Sequence, residues 1–280
     1  MHSASEITCR SEGRHKMSSV YWHKQERGKP LFPDLLWSRP ETKRTAGKLL
    51  IVGGNLHGFA AAANAHAEAQ KAGIGSLRVL LPDALQKTLS KLLPEAVFAP
   101  STASGSLGQK ALPDILEHSQ WSDGVLLAGD FGRNSETAIL LENFVAKSKS
   151  PLTITKDAVD YFTNVPQPIT NRPGITCVLT MAQLQRLVTS VRFHTAFTFD
   201  MDLLRLVDAL HTFTGKFSLS IIVQHLDTVF VAVSGQVSTT KTNHDSTETW
   251  RIPTAAHAAV WWLQNPTKPF EALTTSVITE

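Results

Sequence analysis

Three short stretches carry residues able to do chemistry. Gly53-Gly54-Asn55-Leu56-His57-Gly58 offers backbone amides, an amide side chain and an imidazole. Gly129-Asp130-Phe131-Gly132-Arg133-Asn134-Ser135 sets two glycines around a carboxylate and follows them with a guanidinium and two helix-capping side chains. Lys156-Asp157 places an ammonium beside a carboxylate. Glycines let amides approach an anion closely, and a helix that starts just after them offers its positive end. A Lys-Asp pair can hold a phosphate or polarise a hydroxyl, although Asp157 could equally cap a helix. Likewise Asp130 and Arg133 could form a surface pair, and Gly53–Gly58 could be a tight turn without a ligand.

Several standard chemistries fail on spacing. Gly54 and Gly58 fit neither GxGxxG nor GxxxxGK, which excludes a Rossmann or Walker loop. Asp130-Phe131-Gly132 has no upstream HRD-type loop, so a protein kinase is excluded. Ser104, in "STASGS", is not in a nucleophile elbow. The histidines, among them His57, His225 and His257, show no HxxxH or HExxH spacing, and no metal site is expected. Two cysteines, Cys9 and Cys177, make no disulfide framework. A reducing, cytoplasmic setting is expected.

The elements that would position these stretches follow a rhythm. Apolar runs at 48–54, 76–82, 95–100, 124–129, 151–156, 174–180, 218–224 and 228–234 read as strands. An Ala-rich segment at 59–73 reads as a helix stopped by Gly73, and 83–93 as one opened by Asp83. Further helices are expected from Asn134 or Ser135, through "DAVDYF", and from Pro253 to just before Pro266. Continuous apolar strands mean burial on both faces, the habit of a parallel sheet covered by helices. The short gap between the last two strands predicts an antiparallel edge hairpin. The expectation is therefore an α/β fold in three layers, α/β/α, with a mostly parallel sheet. Ligands in such sheets bind beyond the carboxyl ends of the strands, where the three stretches lie. Residues 238–249 read as the most loop-like interior stretch.

The chain has 280 residues, 42% hydrophobic and 18% charged, which is globular composition. No apolar run is long enough to cross a bilayer, and the first twenty residues hold no secretory h-region. Residues 1–48 carry ten Lys and Arg against five Asp and Glu, whereas the rest carries 17 against 19. The basic excess lies in an arm and not on the body, so nucleic acid is not the expected partner. The expected division is a polar leader and Pro/aromatic docking arm over 1–46, and an α/β domain over 47–280. Trp22, Phe32, Leu35, Leu36 and Trp37 favour docking of that arm on the body or on a neighbouring subunit. The adjacent Trp261 and Trp262 suggest a subunit contact, and a homo-oligomer is expected.

With these residues assembled, the chain resembles the ribokinase-like ADP- or ATP-dependent NAD(P)H-hydrate dehydratases. The resemblance rests on "GKLLIVGGNLHGFAAAANAHAEAQKAGIGSLRVLLP" (47–82), "LPEAVFAP", "AGDFGRNSET" and "TKDAVDY", in the family's order and spacing. It implies a ribokinase-like fold, ADP or ATP with Mg2+ as cofactors, and a hydrated nicotinamide cofactor as substrate. It implies that Gly53, Gly54, Asn55, Gly129, Gly132 and Asp157 border the cleft. His57, Arg133, Asn134, Ser135 and Lys156 join them as candidates from their own chemistry. The second half departs from the family. Thr155 replaces an aspartate, and only Thr180 remains of a Thr-Pro-His-Pro-Gly-Glu segment. "VQHLD" replaces Leu-Lys-Gly. The late Gly-Thr-Gly-Asp, which supplies an amide cradle and a base, is absent from "RIPTAAHAA". Asp130 and Asp157 are the remaining candidate bases, with Asp245 and Glu248 in the loop upstream. Two readings stay open: an NAD(P)H-hydrate dehydratase, or a catalytically inactive binding protein on the same scaffold. A sugar or hydroxymethylpyrimidine kinase is a third, weakened by the same missing motif.

Overall fold

The computed structural model describes residues 20–242 and 250–278. Its strands are β1 Trp22–Gln25, β2 Lys48–Gly53, β3 Ser76–Pro82, β4 Ala96–Ala99, β5 Gly124–Gly129, β6 Leu152–Thr155, β7 Ile175–Leu179, β8 Leu219–His225, β9 Thr228–Val233 and β10 Gln236–Lys241. Its helices are α1 Pro33–Trp37, α2 Ala60–Lys71, α3 Gln86–Leu89, α4 Leu112–Trp121, α5 Ser135–Lys147, α6 Asp157–Phe162, α7 Gln167–Thr170, α8 Met181–Ser190, α9 Leu203–Lys216, α10 Arg251–Gln264 and α11 Pro269–Ser276.

All ten strands form one sheet in the order β1-β10-β9-β8-β7-β6-β5-β2-β3-β4. From β4 to β8 every pairing is parallel. β9 and β10 run antiparallel at the edge, and β1 joins β10 in parallel. From β2 the chain winds outward through β3 and β4, and from β5 it winds the other way. The switch point therefore lies between the adjacent ends of β2 and β5, where an open α/β sheet places its ligand crevice.

The central strands are apolar on both faces, as expected. In β2, Leu50 and Val52 enter the core under α4 to α9, whereas Leu49 and Ile51 enter the core under α2, α3, α10 and α11. The arm docks on its own chain. Tyr21 accepts a backbone bond from Val237, and Leu35 of α1 packs on Trp261 and Ala272.

Several expectations need correction. Residues 238–241 are strand, not loop, because Ser238 to Lys241 pair with β9 and fill the space beside β1; 243–249 lie outside the described residues. The helix expected from Pro253 starts at Arg251, and α11 follows it. The 83–93 helix is a 3-10 turn followed by one short α turn that stops at Leu89. Helices α4, α8 and α9 carry no Ala-rich or proline-bracketed signal. Trp261 and Trp262 are 0% and 7% exposed, so they pack inside this chain and present no surface to a second subunit.

α2 packs against α10 through small residues, and His257 is enclosed between them at 3% exposure. Burial holds its imidazole below the usual value. The Glu68 carboxylate, 3.5 Å away, opposes this without reversing it, and Arg39 and Lys71 act in the same sense as burial. The unfolded chain therefore takes up the proton first. This contribution to stability is complete above pH ~6.5 and is lost as pH falls through the lowered folded value. Denaturant unfolding of wild type and H257L at pH 8 and pH 5 tests this. Wild type should lose more stability on acidification, by at most about 1.4 kcal/mol per pH unit for one proton.

Candidate functional site

The corner between β2, β5 and β6 is built by backbones in near contact. Gly53 pairs with Gly129 across the β2–β5 boundary, and Gly54 N–H donates to the Gly129 carbonyl at 3.0 Å. A Cβ on Gly53 would stand 2.6 Å from the Gly129 oxygen. A Cβ on Gly129 would stand 2.7 Å from Lys156 Cβ and 2.8 Å from Asp157 Oδ1, and its φ of +106° is itself unsuited to an L side chain. Asn55 ties the two loops together, donating from Nδ2 to the Asp130 carbonyl at 2.6 Å.

Beyond the glycines, two non-glycine residues take left-handed backbones, Asp130 at φ 59° and Lys156 at φ 53°. Such conformations cost about 1–3 kcal/mol each and persist where the surroundings impose them. They bring Lys156 Nζ to 3.0 Å from Asp130 Oδ1. Asp130 Oδ2 accepts from the Ala61 N–H at 2.8 Å, at the start of α2. The N-cap residue Phe59 supplies no side-chain cap, so Asp130 does this from a distant loop. Asp130 thus pairs with Lys156 and not with Arg133.

Asp157 is the first residue of α6, and its carboxylate turns away to the glycine loop. Oδ2 accepts from Gly132 N–H at 3.3 Å, and Oδ1 is buried without a partner. Burial pushes this carboxyl above the ordinary aspartate value; the amides of Asp130, Gly132 and Phe131 oppose the shift, and the Asp130 charge adds to it. Tyr161, one turn further along α6, donates to the Gly132 carbonyl, and burial raises its phenol. Asn134 caps α5 by accepting from Glu136 N–H at 2.8 Å, and donates from Nδ2 to Ser104 Oγ at 2.8 Å.

An open cleft of about 680 Å³ lies outside this corner. Gly132, Arg133, Asn134, Ser135 and Asp157 line it together with Asp160, Tyr161 and Asn164. Gly53, Gly54, Asn55, Gly129 and Lys156 stand at the neighbouring strand ends and do not line it, and His57 is exposed on its own loop. Tyr161, Asp160 and Asn164 escaped the sequence reading, and Ser104, considered there only as a nucleophile, instead accepts from Asn134. The i, i+4 spacing of Asp157 and Tyr161 on one helix was the available signal for Tyr161.

A second polar chain runs to the late helix. Gln183 Nε2 donates to the Lys156 carbonyl at 2.7 Å and to Asp160 at 3.2 Å. Its Oε1 accepts from Arg251 at 3.2 Å and, in a capping box, from the Thr180 N–H. Arg251 is 7% exposed. The first turn of α10 has no acidic residue and no side-chain cap. Beside it, Arg27, Lys241, Gln224 and Trp250 enclose a pocket of about 30 Å³. Thr155 is buried and donates to the Val178 carbonyl. Asp245 and Glu248 lie outside the described residues. Among the described residues, no three His, Cys, Asp or Glu side chains gather to hold a metal ion, and no helix is long and apolar enough to cross a membrane.

No protein-family model and no curated protein matches the sequence. Solved structures do match the fold. A ribokinase-like superfamily protein of Enterococcus faecalis superposes with a TM-score of 0.69 at 16% identity, over 93% of this chain and 87% of that one. A Streptococcus mutans protein gives 0.63 at 17% identity, over 86% and 83%. The ADP/ATP-dependent NAD(P)H-hydrate dehydratase of Bacillus subtilis, co-crystallized with ATP and Mg2+, gives 0.59 at 13% identity, over 89% and 86%. The fold is therefore ribokinase-like, as the sequence resemblance implies.

The raised Asp157 carboxyl has a stability consequence. Its contribution is fully present below pH ~3.8 and is lost as pH rises through the folded value. At neutral pH the raised carboxyl therefore weighs against the fold. D157N should raise Tm at pH 7 and change it little at pH 3, with each 1 kcal/mol worth about 2–4 °C. N134A should cost about 1 kcal/mol through the lost α5 cap. Thermal scans at both pH values check the first, and urea unfolding checks the second.

Proposed function

We propose that this protein binds a phosphate-bearing small molecule, a nucleotide such as ADP or ATP, at the strand-end corner and does not transfer its phosphoryl group. The observation that carries this reading is the opening turn of α10. It holds a buried arginine and no acid or glycine. A first turn that holds no acidic residue favours an anion, and Arg27 and Lys241 line the pocket beside it. Phosphoryl transfer asks more than binding. It needs an amide cradle aimed at the developing charge and a group to take the hydroxyl proton. Asp130 is committed to Lys156 and to α2, and Asp157 to the glycine-loop amides. Taking up the hydroxyl proton would weaken these charge-assisted contacts in either case. The described residues form no protein-only cage for Mg2+, which would come as a partner of the nucleotide phosphates.

The second reading is turnover as an NAD(P)H-hydrate dehydratase. One observation favours it: the left-handed Asp130–Lys156 pair sits at the switch point of the sheet, and strain of this kind clusters at active sites. A single set of measurements separates the two. Native mass spectrometry and thermal shift with ADP and ATP should show saturable binding, and the R27E/K241E double variant should weaken it about tenfold or more. A coupled assay that regenerates reduced cofactor from its hydrate should stay at the blank rate. Turnover with either nucleotide replaces the first reading by the second, and the absence of any nucleotide binding removes both.

A further inference from the structure

We infer that Asp130 is a built-in anion that sets the polarity of the ligand: it closes the α2 corner to phosphate and leaves it open to a group bearing hydroxyl or amide donors. The inference rests on the reading of this corner as the binding site, and it states which end of the ligand goes where. The α2 N-terminus and the Lys156 ammonium are the two groups a phosphate would seek here. Both already face a carboxylate. Asp130 Oδ2 takes the Ala61 N–H at 2.8 Å, and Oδ1 takes Lys156 Nζ at 3.0 Å. The carboxylate cannot drift from this seat, because Asn55 Nδ2 holds the Asp130 carbonyl at 2.6 Å and the left-handed backbone aims the side chain back at α2. A second anion arriving beside it would meet like charge.

Asp130 and Lys156 keep 20% and 31% of their side chains exposed, so a ligand can reach them. An ionised carboxylate accepts about four hydrogen bonds, and two are used. The remaining capacity suits ribose-type hydroxyls, a carboxamide or an amine. The side of the corner toward α10 has the opposite character: Arg251, in the first turn of that helix, is joined to Lys156 through Gln183. A ligand with a phosphorylated end and a hydroxyl- or amide-bearing end then has one favourable orientation: phosphate toward α10, donors toward Asp130.

The test uses inorganic phosphate as the probe and the full chain as the protein. The amide resonance of Ala61 reports the α2 corner separately from α10. In wild type it should not move with phosphate. Glycine tolerates the left-handed backbone at 130, so D130G should show a saturable Ala61 shift and bind phosphate about tenfold or more tightly than wild type at this corner. D130G/K156M should lose that gain. D130N keeps an acceptor for Ala61 while removing the charge, and should show a smaller gain; it decides the matter if D130G does not fold. A wild-type Ala61 shift as large as that of the variants overturns the inference, as does a failure of both D130G and D130N to gain phosphate. ATP binding by wild type is scored apart. Its absence alongside a D130G gain sinks the nucleotide reading alone, and its presence without a gain sinks this inference alone.

Discussion

The close approach of three strand ends governs the rest of the corner. Where β2, β5 and β6 finish, their backbones come so near that only glycine fits at 53 and 129. A chain leaving such a junction has few directions open to it, because the next strand blocks the extended path. Asp130 and Lys156 leave through left-handed conformations, and this turns both side chains toward each other across the β5–β6 boundary. The ion pair is thus a consequence of backbone packing. Its strain is offset by what it satisfies: a helix N-terminus, a lysine and two loop carbonyls.

Electrostatics then divides the corner into two unlike ends. At α2 and at the glycine loop, amide N–H groups that could face a ligand face Asp130 and Asp157 instead. At α10 the first turn holds no acidic residue, and an arginine is buried there against Gln183. A buried guanidinium costs several kcal/mol unless hydrogen bonds receive it. The Gln183 amide does part of this, and because its other side holds Lys156 and Asp160, the two ends are mechanically joined. A shift of α8 would be felt at both.

Much of this architecture is legible in the residue order. The runs "LLIVG" and "GVLLAG" are free of polar side chains because helices cover both faces, and they form β2, after its exposed Lys48, and β5. The cap at Asn134 and the stop at Gly73 were equally local. What local pattern could not carry was partnership over distance. Ala61 and Asp130 lie 69 positions apart, and Asp130 and Lys156 lie 26 apart. Arg133, three positions from Asp130, looked a natural partner until the left-handed turn aimed the carboxylate elsewhere. For α8 a local signal does exist, since Thr180 and Gln183 spell its capping box. Residues 238–241 are polar on the page but form a strand because β1, from the arm, covers the edge they would otherwise expose.

The two ends of the corner are under unlike packing constraints. The glycine junction is needed for the sheet to close on itself at β2, β5 and β6, so substitution there damages folding as well as binding. The first turn of α10 carries no such constraint. Its backbone needs only to begin a helix, which Trp250, Arg251, Ile252 and Pro253 do without a glycine. Fold likeness at 13% identity therefore speaks for the scaffold alone, and function must be argued from the residues of the site.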